Sequence, residues 1–351
     1  MTLNELRDDI DKIDARILAL LGERMEKAIL TRKLKSGGIE DKGREQEIID
    51  KVRRTSRCLV RPDFAAGLYE RIMAESKALQ ASGVRTVGFQ GEHGAYSEIA
   101  ARGWEPAAAT IPCREFSDVF DGVDQGLFDY GIVPVENSLG GLVGPVNSIL
   151  ISTDLRVVAA VNLTVVHCLV APSGADHREL RTVYSHSQAL AQCRRFLERN
   201  KLAPLPYYDT AGAARMLSQE APKGAAAIAS RFAAELYDLD IIKEGIQDAP
   251  NNRTRFLVLA KKDSGEPGEK CSAVFGAEDK AGGLFDILQI FAREGINLTR
   301  IESVPNRPGD YAIFIDFEGS IRDGRVARAV ESATRAAQDF RILGCYNERR
   351  L

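Results

Sequence analysis

The N-terminal segment carries apolar residues at alternating intervals of three and four. This spacing places their side chains along one stripe of an α-helix, as in a coiled coil. A helix from Leu3 to Lys35 would be about 50 Å long at ~1.5 Å per residue, and Gly37-Gly38 would end it. A helical segment that ends near Ser82 is too short to cover such a stripe, so the spacing predicts a dimer of long helices. The stripe consists of Leu3, Leu6, Ile10, Ile13, Ile17 and Leu20.

The composition excludes several classes of protein. The 351 residues suffice for two or three domains, and 44% of them are hydrophobic. Lys+Arg 47 and Asp+Glu 50 give a net charge of −3 without a long basic run, which predicts no nucleic-acid partner. No window approaches about eighteen consecutive apolar residues, and the first residues lack the apolar core of a signal peptide. We therefore expect a cytoplasmic protein without a membrane span.

The cysteines and histidines show no metal-binding spacing. The six cysteines lie far apart with no CxxC pair, and none of the four histidines pairs at HxxxH spacing. These patterns favour reduced thiols and argue against a disulfide framework or a zinc cluster. We therefore expect no metal site.

Three regions follow one another along the chain. Residues 1–82 have a helical pattern, residues 84–262 alternate strand-like apolar runs with helical stretches, and residues 270–351 form a smaller unit. The polar, Gly- and Pro-containing segment from Asp263 to Lys270 indicates a linker. The predicted fold class is therefore multidomain, with an all-α domain followed by an α/β domain and an α+β domain.

The middle region predicts parallel or mixed sheets covered by helices. The apolar runs Val84–Phe89 and Tyr130–Val135 indicate strands, and Arg156–Ala171 must hold one or two more. Ligands bind near the carboxyl ends of such strands, which is where Glu136-Asn137 lies. Further strands are predicted at Thr182–Ser185, Ala225–Ala229 and Arg255–Leu259, and helices at Gln188–Arg199, Ala211–Gln219 and Arg231–Tyr237.

The last region has the βαββαβ order of a ferredoxin-like unit. This order alone indicates no function. The predicted elements are Ser272–Ala277, Leu284–Glu294, Leu298–Val304, Tyr311–Phe317, Arg325–Asp339 and Arg341–Tyr346.

Polar residues of the first region form a candidate active site. Arg24 falls where the apolar stripe would continue, and Lys35 lies within about 20° of the same helix face. From spacing alone, a solvated helix surface explains both. The segment resembles the all-helical class of chorismate mutase, however, and every polar member of that pattern is present. The matching residues are Arg7, Arg24, Lys35, Asp41, Arg44, Glu45, Ser76 and Gln80.

This resemblance implies the rearrangement of chorismate to prephenate without acid, base or cofactor. Arginines would grip the two carboxylates of chorismate and hold its reactive conformer. Lys35 and Gln80 would donate to the breaking ether oxygen, and Glu45, with Asp41, would hold the ring hydroxyl. In this family the early arginine, here Arg7, reaches into the partner's site, which agrees with a dimer. The implied substrate contacts are Arg7, Arg24, Asp41, Arg44 and Ser76.

The middle region resembles prephenate dehydratase over nearly its whole length. Each matching segment is weak alone, but all four in order on one α/β framework are specific. The resemblance implies two α/β lobes around a cleft, as in a periplasmic ligand-binding protein. The segments are Gly91–Ser97, Val133–Ser138, Val183–Cys193 and Asn252–Phe256.

The implied reaction removes hydroxide and CO₂ from prephenate and gives phenylpyruvate. The family assigns the proton donor to Thr254, whose hydroxyl is a poor acid and needs a hydrogen-bonded relay or a dry pocket. Asn137, Ser185 and Gln192 would orient the substrate, and the Gly91 loop would offer backbone N–H groups to a carboxylate. The other implied substrate contacts are Ser97, Glu136, His186 and Arg255, although a histidine at a strand end is more often structural.

The final region resembles the ACT domain that binds phenylalanine in this family. Gly282-Gly283-Leu284 stands for the usual Gly-Ala-Leu, and Glu302-Ser303 begins the usual Glu-Ser-Arg-Pro. The resemblance implies that phenylalanine binds these residues and inhibits the dehydratase. Val304 replaces the arginine of that motif and its five donors. If that arginine binds the ligand or latches the inhibited interface, sensitivity to phenylalanine should be weak; if it only solvates a strand end, inhibition should survive.

The three resemblances cover essentially the whole chain and identify it as a member of the bifunctional chorismate mutase–prephenate dehydratase family. The expected partners are chorismate, prephenate, phenylalanine and a second copy of the chain, in a homodimer or higher homo-oligomer. Arogenate is left open as an alternative to prephenate. The rival function is a binding protein for an aromatic acid with a non-catalytic helical dimerisation module.

Overall fold

The computed structural model of this chain describes residues 2–35, 37–57, 59–263, 265, 267–278, 282–307 and 310–351. They form two compact units, a helical one that comprises chiefly the residues before Val87 and a larger α/β one. Cys58 and positions 264 and 266 of the predicted linker lie outside the described residues.

The helical unit consists of α1 (Leu3–Leu34), α2 (Lys42–Thr55) and α3 (Pro62–Ala81). The bounds of α1 confirm the helix predicted from Leu3 to Lys35, and α2 and α3 agree with the helical pattern of residues 1–82. Helix α2 begins because the side chain of Asp41 accepts a hydrogen bond from the backbone N–H of Arg44 at 3.0 Å. Buried Ile49, Ala66 and Met73 form the core between α2 and α3.

The apolar stripe of α1 is exposed in the single chain. Leu3 is 63% exposed and Leu20 62%, and Leu6, Ile10, Ile13 and Ile17 are also exposed. Exposed apolar stripes of this extent mark interaction surfaces. The predicted dimer of helices would cover this stripe, and it stays a prediction.

The α/β unit begins with a mixed sheet in the order β16-β5-β11-β3-β1-β2, with β4 paired to β3. Strand β1 runs parallel to β3, while β11 runs antiparallel to both β3 and β5. Valine and isoleucine side chains make the middle of β3 a fully buried strand. The elements of this first lobe are β1 (Thr86–Gln90), α4 (Tyr96–Trp104), β2 (Ala109–Cys113), α5 (Phe116–Asp124), β3 (Tyr130–Asn137), β4 (Gly141–Leu142), α6 (Gly144–Ser152) and β5 (Arg156–Thr164), with β11 and β16 added later in the chain.

A second lobe is built on a sheet in the order β10-β6-β9-β7-β8. The chain enters it through residues 165–167 and returns through residues 245–252, so two crossings join the lobes. This arrangement confirms the predicted two-lobed fold. The elements are β6 (Cys168–Pro172), β7 (Thr182–Ser185), α7 (Ser187–Gln192), α8 (Arg194–Arg199), β8 (Ala203–Pro206), α9 (Thr210–Glu220), β9 (Ala225–Ala229), α10 (Arg231–Leu236), β10 (Leu239–Glu244) and then β11 (Arg253–Ala260).

The last region forms a sheet in the order β13-β14-β12-β15, which confirms the predicted βαββαβ unit. Both of its helices pack on one face through a core that includes Phe291, Phe317 and Val326. The final strand β16 (Glu348–Arg350) leaves this sheet and pairs parallel with β5 of the first lobe. The elements are β12 (Lys270–Glu278), α11 (Gly283–Arg293), β13 (Leu298–Arg307), β14 (Asp310–Glu318), α12 (Gly324–Ala336) and β15 (Gln338–Tyr346).

Two cysteines of the last region are joined. Cys271 on β12 lies opposite Cys345 on β15, and the structure pairs them in a disulfide. The expectation of reduced thiols is therefore wrong for this pair, because the sheet brings together residues that lie far apart in the sequence. Cys113, Cys168 and Cys193 are buried. None of the helices in the described part of the chain has both the length and the apolar character of a membrane span.

Candidate active sites

Thr254 and Asn137 lie opposite each other on β11 and β3. The Asn137 Nδ2 donates to Thr254 Oγ1 at 2.9 Å and to Asn252 Oδ1 at 2.8 Å. Its Oδ1 accepts the backbone N–H groups of Leu139, at 3.1 Å, and Gly140, at 2.7 Å. A backbone N–H can only donate, so these two bonds fix the orientation of the amide. The Thr254 oxygen is therefore an acceptor toward Asn137, which leaves its hydrogen to donate elsewhere.

Gln192 joins this pair from the second lobe. Its Nε2 lies 3.4 Å from Asn137 Oδ1, and its Oε1 accepts from Asn252 Nδ2 at 3.0 Å. The same Oε1 lies 2.8 Å from Nε2 of His167, a residue that is only 2% exposed. The structure thus brings together three predicted residues, Thr254, Asn137 and Gln192, and adds Asn252 and His167.

His167 was missed because it belongs to none of the recognised motifs. The available signal was a lone histidine within the apolar stretch Arg156–Ala171. Burial lowers the pKa of His167, although its hydrogen bond to Gln192 acts in the opposite direction, so the ring is neutral near pH 7. Its Nδ1 lies 3.0 Å from the hydroxyl of Tyr96.

Two predicted substrate contacts lie on the other face of the sheet. Glu136 and Arg255 are also opposite each other, one residue along from Asn137 and Thr254. Successive side chains of a strand point to opposite faces, so this pair turns away from Thr254. Arg255 is 8% exposed and donates to Asp316 of β14 and to the Tyr346 hydroxyl. Arg255 therefore contacts the last region, and its assignment to substrate binding stays a prediction.

The Glu136 carboxylate faces the last region as well. Its Oε2 lies 3.9 Å from Nε of Arg300 on β13. Arg300 is 9% exposed, and its guanidinium donates to Asn147 of α6 at 3.0 Å. The structure does not bring Glu136 to the Thr254 hydroxyl, for the same reason of strand alternation.

Ser185 and His186 serve the second lobe rather than a free surface of the cleft. Ser185 is fully buried and donates to the Ile228 carbonyl at 2.8 Å, and its role in orienting the substrate stays a prediction. His186 is exposed and caps α7, where its Nδ1 accepts from the Gln188 N–H at 3.3 Å. Ser97 is buried in the first turn of α4.

Hydrogen bonds within the first lobe hold the Gly91 loop. Its Gly91 and Ala95 N–H groups donate to backbone carbonyls, and the Gly94 N–H donates to the buried Glu98 carboxylate at 2.8 Å. Burial alone would raise the pKa of Glu98, but the bonds from His93, Gly94 and Thr110 outweigh it and lower the pKa. These three N–H groups are therefore not available to a substrate carboxylate, contrary to expectation.

The same loop contacts the second lobe. Glu92 accepts from the Tyr208 hydroxyl at 2.8 Å and from Arg215 at 2.7 Å. Gly94 has a φ of +93°, and a Cβ there would lie 2.9 Å from the Ala233 backbone. The two lobes thus meet at this loop as well as at Gln192.

In the helical unit, Arg24 turns toward α3 instead of solvent. Its guanidinium donates to the hydroxyl of buried Ser76 at 2.6 Å. Lys35 is half-buried, and its Nζ donates to the Ile39 carbonyl at 3.1 Å. The Gln80 Oε1 is buried without a hydrogen-bond partner among the described residues.

The other predicted mutase residues have partners of their own. Glu45 binds Lys77 through both carboxylate oxygens, at 3.1 and 3.0 Å, and sequence analysis missed Lys77. Arg44 pairs with Glu47 at 2.9 Å on the surface. Asp41 caps α2, and Arg7 is exposed on α1.

The predicted phenylalanine residues lie on two elements of the last region. Gly282 has a φ of +91° and precedes α11, whose first turn contains Gly283 and Leu284. Glu302 and Ser303 lie on β13, at the edge of the sheet. The neighbouring Val304 is 7% exposed and lies opposite Ala312.

Comparison with protein-family models matches the chain in three successive parts. A model of type II chorismate mutase matches residues 6–81, one of prephenate dehydratase matches residues 87–264, and one of the ACT domain matches residues 272–334.

Comparison with individual proteins gives long matches. The bifunctional chorismate mutase/prephenate dehydratase of Aquifex aeolicus is 35% identical over 98% of this chain and 97% of its own length. An arogenate dehydratase/prephenate dehydratase of Arabidopsis thaliana is 41% identical over 74% of this chain and 72% of its own. The structure of a prephenate dehydratase from Arthrobacter aurescens in complex with L-Phe is 32% identical, with a TM-score of 0.68, over 75% of this chain and 89% of that chain.

Proposed function

Because the chain belongs to the family of bifunctional chorismate mutase/prephenate dehydratases, we propose which of its residues carry the two reactions. Its activities convert chorismate to prephenate and prephenate to phenylpyruvate in phenylalanine biosynthesis. We assign the mutase to residues 1–82, the dehydratase to residues 84–262 and the regulatory domain to residues 270–351.

In the dehydratase, Thr254 gives its proton to the leaving hydroxyl of prephenate. Proton and hydroxide leave as water, the carboxylate leaves as CO₂, and its bonding electrons complete the aromatic ring. The observation that carries this proposal is the bond from Asn137 Nδ2 to Thr254 Oγ1 at 2.9 Å. This donor stabilises the negative charge that develops on the threonine oxygen, which a poor acid requires. Gln192 holds the Asn137 amide in place.

The test of the dehydratase site is Thr254→Ala. We expect it to abolish phenylpyruvate formation while mutase activity in the same chain is unchanged, and Thr254→Ser to retain part of the rate. Thr164→Ala is the matched control, since Thr164 is an exposed strand residue that pairs with Arg253 instead of Asn137. A spectrophotometric assay with prephenate, repeated with arogenate, measures the rate and the substrate preference. Full activity in Thr254→Ala refutes the assignment.

In the mutase, Arg24 binds a carboxylate of chorismate, and Lys35 and Gln80 donate to the ether oxygen. The contact of Arg24 with Ser76 supports this, because it turns the guanidinium inward beside α3. We expect Lys35→Ala to lower kcat/KM by about 10³-fold, as loss of a charged donor to a transition state does. Lys12→Ala is the control, since Lys12 is exposed and pairs only loosely with Asp9 at 3.9 Å. Unchanged turnover in Lys35→Ala refutes the role.

The regulatory domain binds phenylalanine at Gly282, Gly283, Leu284, Glu302 and Ser303. The similar L-Phe complex supports this ligand. The chain acts as a homodimer through the exposed stripe of α1, in the cytoplasm. A phenylalanine titration of dehydratase activity tests the proposed phenylalanine site, and absence of inhibition at millimolar phenylalanine refutes it. Sedimentation of the full chain tests the homodimer, and a monomeric chain refutes it.

A further inference from the structure

A line of hydrogen bonds crosses the dehydratase from one lobe to the other. It begins at Tyr96 on α4, passes through His167 in the first crossing between the lobes and reaches Gln192 on α7. From Gln192 it returns to Asn137 on β3 and ends at Thr254 on β11. Tyr96 and His167 have no part in the reaction as described so far.

The direction of these bonds follows from the backbone. The N–H groups of Leu139 and Gly140 fix Asn137 Oδ1 as an acceptor, so its Nδ2 donates to Thr254 and Asn252. Asn252 must then accept through Oδ1 and donate through Nδ2 to Gln192 Oε1.

That choice fixes the histidine tautomer. Because Gln192 Oε1 is an acceptor, His167 must donate through Nε2–H at 2.8 Å. A neutral imidazole then has its lone pair on Nδ1, which accepts from the Tyr96 hydroxyl at 3.0 Å. The Val166 carbonyl, at 2.7 Å, is a second acceptor for the same hydrogen. Burial raises the pKa of Tyr96, so the hydroxyl keeps that hydrogen.

We propose that Tyr96 and His167 are positioning residues for the dehydratase reaction, acting on Thr254 through Gln192 and Asn137. Every donor in the line points toward Thr254. Each hydrogen bond therefore polarises the next one in the same direction, toward the threonine oxygen. The line also includes residues of both lobes, so it depends on how the two lobes are placed against each other. The inference rests on the proposed role of Thr254 as proton donor.

The first test compares Tyr96→Phe with Tyr130→Phe. Each change removes one hydroxyl from a half-buried tyrosine of the first lobe, but Tyr130 lies at the far end of β3 from Asn137 and packs its ring on Trp104. We expect Tyr96→Phe to lower kcat for prephenate about tenfold with KM unchanged, as loss of a single hydrogen bond predicts, and Tyr130→Phe to match the parent. Equal rates in the two variants overturn the proposal.

The second test asks whether the histidine acts as a donor. The side-chain amide in His167→Gln can replace the Nε2–H, whereas the side chain in His167→Leu cannot. We expect a loss of about 10²-fold in kcat for His167→Leu and a smaller loss for His167→Gln. Scanning calorimetry of each variant reports whether the α/β unit has folded, because the mutase residues lie in the separate helical unit. If His167→Leu shows no thermal transition of the α/β unit, this variant has not folded, and the comparison of Tyr96→Phe with Tyr130→Phe then tests the proposal.

A third measurement separates positioning from general packing. If Tyr96 acts through Gln192, the loss in Tyr96→Phe disappears in a Gln192→Leu background, whereas independent packing effects add. Additive losses overturn the proposal. An active Thr254→Ala variant would instead refute the proposed proton donor itself, so the two failures are distinguishable.

Discussion

The ion pair between Arg255 and Asp316 offers a sharp test of how the dehydratase and the regulatory domain depend on each other. The two side chains are 9% and 1% exposed, and Arg255 also donates to the Tyr346 hydroxyl at 2.8 Å. The perturbation is Asp316→Asn, which keeps the volume and removes the charge. The Arg255 guanidinium then stays buried, and its remaining carboxylate partner is Glu348, whose Oε2 lies 3.6 Å from the Arg255 Nε.

The magnitude follows from the burial. Removing one partner of a buried pair costs about 3–5 kcal/mol, and the nearby Glu348 places this case near ~3 kcal/mol. For a unit of this size each kcal/mol lowers Tm by about 2–4 °C, so we expect a decrease of about 6–12 °C. Scanning calorimetry of the full chain measures the transition of the α/β unit. Because Arg255 follows Thr254 on β11, dehydratase kcat should fall as well, while mutase activity is retained.

Asp310→Asn is the matched control, because Asp310 lies on the same strand β14 with an exposed side chain. We expect it to change Tm by less than about 1 °C, as surface substitutions do. The paired change of Arg255→Met with Asp316→Leu should recover most of the loss, because apolar replacement of both partners is close to neutral. A decrease in Asp316→Asn no larger than that of the control would refute the reasoning.

Three further results are expected. Gly94→Ala should lower dehydratase kcat by about 10²-fold in the prephenate assay, because its Cβ would lie 2.8 Å from the Ala233 Cβ and displace the lobes; a parental rate contradicts this. Ser76→Ala should raise the mutase KM about tenfold without changing the dehydratase, because Arg24 loses a partner at 2.6 Å; an unchanged KM contradicts it. Burial lowers the pKa of His167, so the unfolded chain takes up its proton first as the pH falls. Neutral His167 therefore contributes its full share of stability above about pH 6.5, and this contribution is lost as the pH falls below that value. The Tm of the parent should decrease more than that of His167→Gln between about pH 7.5 and 5, and equal decreases contradict this.

Local patterns were enough to predict most elements of the fold. The apolar runs of Tyr130–Val135 and Ala225–Ala229 are strands, and the spacing in α1 is helical to within one residue of the predicted end. Strand partners were not predictable in the same way, because pairing depends on contacts between distant residues. Cys271 and Cys345 illustrate this, since their spacing alone gives no reason to pair them.

Sequence motifs were enough to locate the candidate site along the chain, but not to show on which face of the sheet each side chain lies. The motif Thr254-Arg255 marks the right place, yet only the strand shows that one side chain faces Asn137 and the other faces Asp316. His167 has no local signal beyond an apolar surrounding, and its role depends on Gln192 from another lobe. Residues that act through distant partners are therefore the part that sequence reasoning cannot supply.

The alternation along β3 and β11 also explains how one sheet of the dehydratase contacts both the cleft and the regulatory domain. Thr254 and Asn137 face the cleft, while Arg255 and Glu136, one residue on, face Asp316 and Arg300 of the regulatory domain. A displacement of β14 against β11 would therefore reach Thr254, the proposed proton donor, through the single peptide unit that joins it to Arg255. An effector need only favour one of two positions of that strand, by binding each with a different affinity, to change the dehydratase rate.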